Sequence, residues 1–256
     1  MTRRSFSFKL QAGVLAIASA VVLTLSSPFA VQAFDWGGLL QGGFRAIQLS
    51  NLSENDEVKL GRDINRQLLE SGELRLANNP RLTRQINGMG RRLVKVSDRP
   101  NLPFTFQVVQ DDAINAFATA GGYVYITTGA IAAADTNSQL ASVLAHEIAH
   151  ITESHVVQQM QRMTFAQAGA QLLGVDDNVL VATGVELGFR RPRSRQAEYE
   201  ADSKGLEILT RAGYNPRGMT QFMQKLLGNG APPQFISTHP HTEERIERLE
   251  DAIAQQ

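Results

Sequence analysis

A helix that carries two histidines limits what this chain can fold into more than any other part of its sequence. The string His146-Glu147-Ile148-Ala149-His150 lies where apolar residues return every three or four positions, which predicts one helix from about residue 137 to residue 163. His146 and His150 then project from one face, one turn apart, so both imidazoles can bind the same metal ion. Glu147 lies beside the pair, where its carboxylate can reach a water on that metal without being a ligand itself.

A third protein ligand is needed, because a catalytic zinc site uses three and leaves its fourth position to water. The chain has no cysteine and only five histidines, which excludes zinc sites built on sulfur, thiol catalysis and a disulfide framework. The third ligand must therefore be another histidine or a carboxylate. His155 lies half a helical turn out of phase with His146 and cannot reach the same ion while the helix continues. We interpret it as a packing residue or as a partner of a ligand.

The better candidate for the third ligand is Glu198. Glu198 and Asp202 are four residues apart on a predicted helix over residues 196–210, so one face carries both carboxylates. Glu198 would bind the metal, and Asp202 would accept the distal N–H of a ligand imidazole. Glu200 is predicted to point elsewhere and to be solvated. Such acidic pairs are common on solvated helix faces, so this prediction depends on the histidine pair.

The predicted elements around the histidine helix give a mainly helical α+β protein with a small β-sheet next to that helix. Helical periods begin at the Ser53-x-x-Asp56 cap and after Pro80, and they return in the C-terminal third. Apolar alternation predicts strands at residues 104–109 and 123–128. We expect residues 53–256 to form a single domain after a Gly-rich lead-in at residues 34–52.

The first 33 residues have the layout of a secretory signal peptide. Basic residues without acids come first, an apolar run covers residues 10–25, and a small-residue cleavage site follows at residues 31–33. Thr2-Arg3-Arg4-Ser5-Phe6 also resembles a twin-arginine signal. An uncleaved membrane anchor is the alternative, since the run is near the short limit of a spanning helix. We expect export to the periplasm or another extracytoplasmic compartment.

The balance of basic and acidic side chains argues against nucleic acid as a binding partner. With 25 basic and 25 acidic side chains, and no basic cluster outside residues 190–195, the chain is not expected to bind nucleic acid. Peripheral association with a membrane stays open.

Further motifs before and after the histidine string indicate a specific protein family. The histidine string is preceded by Asn115-Ala116-Phe117-Ala118 and by Gly121-Gly122, and Glu-Tyr-Glu-Ala-Asp follows it from Glu198. Thr238-His239-Pro240 and Arg245 come later. This pattern resembles the gluzincin-type zinc metallopeptidase family of the CAAX prenyl protease, HtpX and the periplasmic BepA-like proteases. The resemblance covers nearly the whole mature chain and implies a minimal exported member with a zincin-like domain.

The resemblance also implies roles for individual residues. His146, His150 and Glu198 would hold one zinc ion per chain, and Glu147 would be the catalytic base. Ala120 departs from the family pattern, which more often has proline there, so the conformation of that strand entry is in doubt. The reaction further requires a hydrogen-bond donor for the tetrahedral oxyanion. The sequence does not choose among the plausible donors, which are Tyr199, Arg245 and His239.

His239 supports two alternatives. It lies in a loop rich in glycine and proline, and the resemblance implies that this loop approaches the metal in some relatives. If His239 took the fourth position it would displace the attacking water and make the enzyme latent until the loop moves. Otherwise His239-Pro240 merely precedes the last helix. His241 is predicted to face solvent.

The resemblance implies polypeptide substrates, and the function we predict from it is hydrolysis of unfolded or misassembled envelope proteins in protein quality control. We expect the substrate to add as a strand to a sheet edge formed by Tyr123, Val124, Tyr125 and Ile126. An interior strand without a free edge is the alternative. A zinc-binding chaperone or adaptor that does not cut is the rival function, and the intact Glu147 argues against it. A processing peptidase with one partner also stays open.

Overall fold

The computed structural model describes residues 52–168, 177–190, 192–228 and 234–255. The expected signal peptide at residues 1–33 lies outside the described residues, as does the lead-in up to residue 51. Within the described ranges, no helix is both long and apolar enough to cross a membrane.

The mainly helical α+β class expected from the sequence is confirmed. The helices are α1 (Glu54–Glu70), α2 (Pro80–Val94), α3 (Thr128–Ala133), α4 (Asn137–Thr152), α5 (His155–Ala168), α6 (Asp177–Val185), α7 (Arg195–Arg211), α8 (Arg217–Leu227), α9 (Gln234–Thr238) and α10 (Thr242–Ala254). The strands are β1 (Thr105–Val109), β2 (Ala116–Ala118) and β3 (Tyr123–Thr127). A 3-10 turn covers Ala120–Gly122, and a π-helical turn covers Glu186–Arg190.

The first two helices begin where their capping residues predict. Ser53 Oγ accepts a hydrogen bond from the backbone N–H of Asp56 at 3.2 Å, and Asn79 Oδ1 accepts one from Leu82 at 3.1 Å. These side chains satisfy N–H groups that have no partner inside the helix. Pro80 fits the first turn of α2 because no helical hydrogen bond is required of it there.

The small sheet has the order β1-β3-β2. β3 pairs in parallel with β1 and antiparallel with β2, so it is the central strand. The expectation that Tyr123, Val124, Tyr125 and Ile126 form a free edge is therefore wrong. All four pair with β1, and on the other side the last three pair with β2 while Tyr123 O accepts from Thr119 N–H. No alternation of apolar residues in the sequence indicates β2, because this strand is only three residues long.

The turn before β3 shows how the chain enters this strand with alanine at residue 120. Gly121 and Gly122 have φ values of 71° and 93°, in the left-handed region that favours glycine. This Gly pair leads directly into Tyr123 of the central strand. The strand entry therefore forms with alanine at residue 120.

Helix α4 lies in the core of the described residues, and every residue from Gln139 to Ile151 is buried. The predicted single helix to residue 163 is wrong. Ser154 has a φ of 53°, which interrupts the helix, and α5 starts again at His155. Arg99 Nη1 lies 3.3 Å from both Ile151 O and Ser154 Oγ, so this arginine contacts the C-terminal end of α4.

Helices α7 and α8 pack against α4, and α10 packs against α7 and α8. Contact with α7 is close at Gly205, where an added Cβ would lie 3.1 Å from the Cα of His146. A glycine therefore lets the backbones of α4 and α7 approach each other beside the first histidine of the motif.

Candidate metal centre

Helix α4 presents the two histidines of the motif as the sequence predicts. Both imidazoles are buried, and their Nε2 atoms lie 3.0 Å apart. Their rings are nearly perpendicular, with an interplanar angle of 88°. Four residues of helix separate His146 from His150, so the local structure alone brings these two nitrogen atoms together.

Helix α7 brings Glu198 to the same point. Its Oε2 lies 3.5 Å from His146 Nε2, and its Oε1 lies 3.4 Å from His150 Nε2. The Glu198 side chain has no exposed surface. The structure thus places the three expected ligands in mutual contact, although Glu198 is 48 residues from the second histidine.

His239 is the fourth member of this group. Its Nδ1 lies 3.2 Å from His146 Nε2 and 3.1 Å from Glu198 Oε2. Phe235 stacks on the His239 ring at a centroid distance of 4.4 Å. We call His146, His150, Glu198 and His239 the ligand set; their ligand atoms all lie within 4.8 Å of one another.

The spacing and chemistry of the ligand set fit zinc. Zinc binds imidazole and carboxylate donors at about 2.0–2.2 Å, so ligand atoms of a tetrahedral site lie roughly 3.3–3.5 Å apart. The contacts within the set run from 3.0 to 3.5 Å. His146, His150 and Glu198 therefore have the donor types and the spacing of three zinc ligands, and His239 contacts two of them.

Asp202 and Arg245 support this group from outside. Asp202 Oδ1 lies 3.1 Å from His146 Nδ1, the nitrogen that faces away from the ligand set. Arg245 donates to both oxygens of Asp202 and also lies 2.7 Å from Glu198 Oε2. Burial by itself would raise the pKa of Asp202, but the charge and hydrogen bonds of Arg245 outweigh it and lower that pKa.

The two histidines of α4 have opposite pKa shifts. Burial lowers the pKa of His150 well below its usual value, and the positive charge of Arg193 acts in the same direction. Burial also acts to lower the pKa of His146, but its contacts with Asp202 and Glu198 outweigh this and raise the pKa to about 9. Nearby carboxylates therefore affect His146 more strongly than they affect His150.

Glu147 is fully buried beside the ligand set. His239 Nε2 lies 3.3 Å from its Oε1, and Arg193 Nη2 lies 3.9 Å from its Oε2. Within the described part of the chain, neither carboxylate oxygen makes a contact with hydrogen-bond geometry. Both oxygens therefore remain able to accept a proton from a further group.

The three suggested oxyanion donors occupy different surroundings. Tyr199 lies under the guanidinium of Arg248, 4.2 Å from its ring centroid, on the side of α10. Arg245 uses all three of its nitrogens on Asp202, Glu198 and the carbonyl of His239. His239 alone of the three faces Glu147 directly.

Arg193 is a buried residue of the site that sequence reasoning missed. Its Nη2 donates to Ala118 O at 3.1 Å, and its Nη1 has no hydrogen-bond partner among the described residues. Its backbone N–H donates to Thr238 O at 3.2 Å. The only signal was its place in the basic run at residues 190–195, a pattern that predicts a solvated loop.

The remaining histidines lie at the edge of the site. His155 Nδ1 lies 2.8 Å from His150 Nδ1, and its Nε2 lies 3.1 Å from Glu200 Oε2. Glu200, expected to be solvated, is therefore partly enclosed by this contact. His241 is exposed, as expected, and has a left-handed φ of 66° just before α10.

One edge of the sheet faces the site. The ladder bonds between β2 and β3 use Asn115 and Thr119, so the carbonyls of Ala116 and Ala118 point away from β3. Ala116 O lies 3.4 Å from His239 Nε2, and Ala118 O accepts from Arg193. The outer edge of β2 is thus covered by residues of the site.

Comparison with known proteins gives a family match. The model described as Peptidase family M48 matches residues 80–253, a range that contains the whole ligand set and Glu147. The chain is 36% identical over 217 residues to the beta-barrel assembly-enhancing protease of Escherichia coli (strain K12), covering 77% of this chain and 44% of that protein. The chain therefore spans less than half the length of this curated relative.

Two further relatives are more distant in sequence. Metalloprotease LoiP of Escherichia coli (strain K12) is 27% identical, with 96% of this chain and 98% of that protein covered. Mitochondrial metalloendopeptidase OMA1 of Schizosaccharomyces pombe is 26% identical, with 85% and 72% covered. All three names describe peptidases, and two of them state a dependence on metal.

Proposed function

The chain belongs to peptidase family M48, and from this membership and its metal centre we propose that it is a zinc-dependent endopeptidase of the cell envelope. The membership confirms the metallopeptidase family expected from the motifs. One observation supports the activity above all others: His146, His150 and Glu198 converge within 3.5 Å, with the buried carboxylate of Glu147 beside them.

We assign one zinc ion per chain to this centre, held by His146, His150 and Glu198. When bound there, zinc would act as a Lewis acid on the peptide carbonyl and would lower the pKa of water to about 7. The residues of the chain supply the remaining steps. Asp202 Oδ1 lies 3.1 Å from the outer nitrogen of His146, where its negative charge can orient that ring, and Arg245 holds Asp202 in place.

Glu147 moves the proton. As an ionised base it takes a proton from the attacking water while the water oxygen bonds to the carbonyl carbon. The same proton then passes from Glu147 to the amide nitrogen as the C–N bond breaks, which gives a carboxyl group and a free amine. Its lack of other hydrogen bonds among the described residues leaves its oxygens available for this transfer.

We further propose that the described conformation is latent. His239 Nδ1 has the spacing of a fourth ligand, so in this position it takes the place that the attacking water requires. Phe235 N–H donates to Ile114 O at 3.0 Å and His239 contacts Ala116 O, so α9 and its loop also cover the chain beside β2. Movement of this segment would free the metal position and the Ala116 end of the strand edge, whereas Ala118 O also accepts from Arg193, whose side chain would have to move as well.

The outer edge of β2 is the proposed place for an extended substrate. A peptide paired there would use main-chain groups of Ala116 and Ala118, which makes recognition largely independent of sequence. This suits unfolded or misassembled polypeptides as substrates. The name of the Escherichia coli relative, the beta-barrel assembly-enhancing protease, supports an envelope setting. Export through the N-terminal signal, and a single domain over residues 53–256, belong to the same proposal.

Cleavage of casein by the wild-type chain and by Glu147→Gln, with zinc content measured for both, tests this function. We expect equal zinc content and hydrolysis by the wild type alone. If both proteins bind one zinc and unfolded polypeptide but neither cuts, even with His239 replaced, the non-cutting adaptor is the better description.

A further inference from the structure

The interruption between α4 and α5 gives His155 an unexpected position. Ser154 adopts a left-handed conformation, and the chain turns so that His155 comes back against His150. The two Nδ1 atoms lie 2.8 Å apart, and His155 Nε2 lies 3.1 Å from Glu200 Oε2. A continuous helix would have kept these two rings apart, since they are five residues apart in sequence.

One arrangement of protons satisfies every contact in this chain of groups. His150 directs Nε2 into the ligand set, so as a neutral ligand it carries its proton on Nδ1. That N–H needs an acceptor, which is the lone pair on His155 Nδ1. His155 then carries its own proton on Nε2 and donates it to the carboxylate of Glu200, which can only accept.

The carboxylate of Glu200, the last group in this series, is itself held by a hydrogen bond. Gln196 Nε2 donates to Glu200 Oε1 at 2.7 Å, one helical turn away on α7. His155 is buried, whereas 43% of the Glu200 side chain is exposed. The series of groups thus runs from the ligand set to the protein surface.

We propose that His155 is a positioning residue that fixes the tautomer and orientation of His150, and that Glu200 fixes His155 in turn. This inference rests on the metal centre of the proposed function. His146 has a carboxylate as its direct outer partner in Asp202. His150 reaches its carboxylate through a second imidazole, so each histidine of α4 is oriented by a different route.

Zinc affinity tests this role without depending on catalysis. The metal-free chain is titrated with zinc in competition with a chromophoric chelator, and cobalt absorption spectra report the geometry of the bound ion. His155→Phe keeps a ring but removes the acceptor, and we expect zinc affinity to fall about 10–100-fold, the usual loss when an outer partner of a ligand is removed. His155→Asn places an amide oxygen near the position of Nδ1 and should recover most of this loss.

Glu200→Gln tests the outermost group of the His150–His155–Glu200 series. Glu200 is partly exposed, so misfolding is not expected. We expect a smaller but measurable fall in zinc affinity. Glu207→Gln is the matched control, since Glu207 lies on the same helix with 48% of its side chain exposed and pairs with Arg211. This control should bind zinc as the wild type does.

Two results would overturn the positioning role. One is wild-type zinc affinity and an unchanged cobalt spectrum in His155→Phe, or equal losses in His155→Phe and His155→Asn. The other is two zinc ions per wild-type chain with one lost in His155→Phe, which would make His155 a ligand. An inactive wild type that still binds zinc would contradict the proposed peptidase function and leave this test valid.

Discussion

Arg245 holds the carboxylate of Asp202 through two hydrogen bonds of 2.7 Å, donated by Nε and Nη2. Its third nitrogen, Nη1, lies 2.7 Å from Glu198 Oε2. All three side chains are buried. Charges removed from water are costly unless they are paired, so this one cation compensates two carboxylates that the metal centre requires.

We expect Arg245→Met to destabilise the metal-free chain strongly. Methionine preserves much of the side-chain volume but leaves two buried carboxylates without their cation, which costs about 3–5 kcal/mol. Urea unfolding in the presence of a chelator measures this loss. The exposed Arg211→Met, which removes a pair with Glu207, is the control and should stay within about 0.5 kcal/mol of the wild type. A loss below about 1 kcal/mol for Arg245→Met would contradict the role of this cation.

The parts of the site that the sequence predicts are those that depend on helix geometry alone. His146 and His150 meet because they are four residues apart on α4, and Glu198 and Asp202 share a face of α7 for the same reason. Periodicity also indicates α1, α2 and the central strand. These predictions use local spacing, which the tertiary structure does not change.

Other features depend on contacts between distant segments. Arg193 has no distinguishing pattern, and its burial follows from bonds to Ala118 and Thr238 in other elements. The contact of His155 with His150 fits its interpretation as a packing residue or a partner of a ligand, but the break at Ser154 that produces this contact has no signal in the sequence. The edge of the sheet was assigned to β3 because β2 is too short to show alternation.

We expect Gly205→Ala to weaken both stability and zinc binding. The added Cβ would lie 3.1 Å from the Cα and 3.2 Å from the N of His146, so the backbones of α4 and α7 would have to separate slightly. Overpacking of this kind costs roughly 1–3 kcal/mol. Thermal unfolding and zinc competition measure the two effects.

Gly88→Ala is the matched control for that substitution. Gly88 is an exposed position inside α2, and no atom lies within 4 Å of its added Cβ. Alanine there should raise stability by about 0.5–1 kcal/mol, because it has the higher helix propensity. A loss of stability in Gly205→Ala together with a gain in Gly88→Ala would locate the effect at the contact with His146. Stability changes in the same direction for both variants would argue against it.

We expect His239→Ala to raise the rate of casein cleavage several-fold. The substitution removes the group that has the spacing of a fourth ligand and vacates the contact with Ala116 O. Initial rates at fixed zinc occupancy measure the effect. His241→Ala is the control, because that histidine is exposed and only two residues away. Activity that is unchanged or lower in His239→Ala would exclude latency and leave His239 as a candidate oxyanion donor.

If the substrate pairs with β2, the amide N–H groups that it needs for binding should recur at every second residue of the substrate. In an extended strand, alternate amide N–H groups face the same neighbour, so only every second one can donate to Ala116 O or Ala118 O. A series of peptides with a single N-methylated amide at successive positions tests this without changing the protein. We expect kcat/KM to fall about tenfold at alternate positions, the equivalent of one lost hydrogen bond of roughly 1.4 kcal/mol. N-methylation that lowers the rate equally at neighbouring positions, or nowhere, would show that the peptide does not add as a strand to this edge.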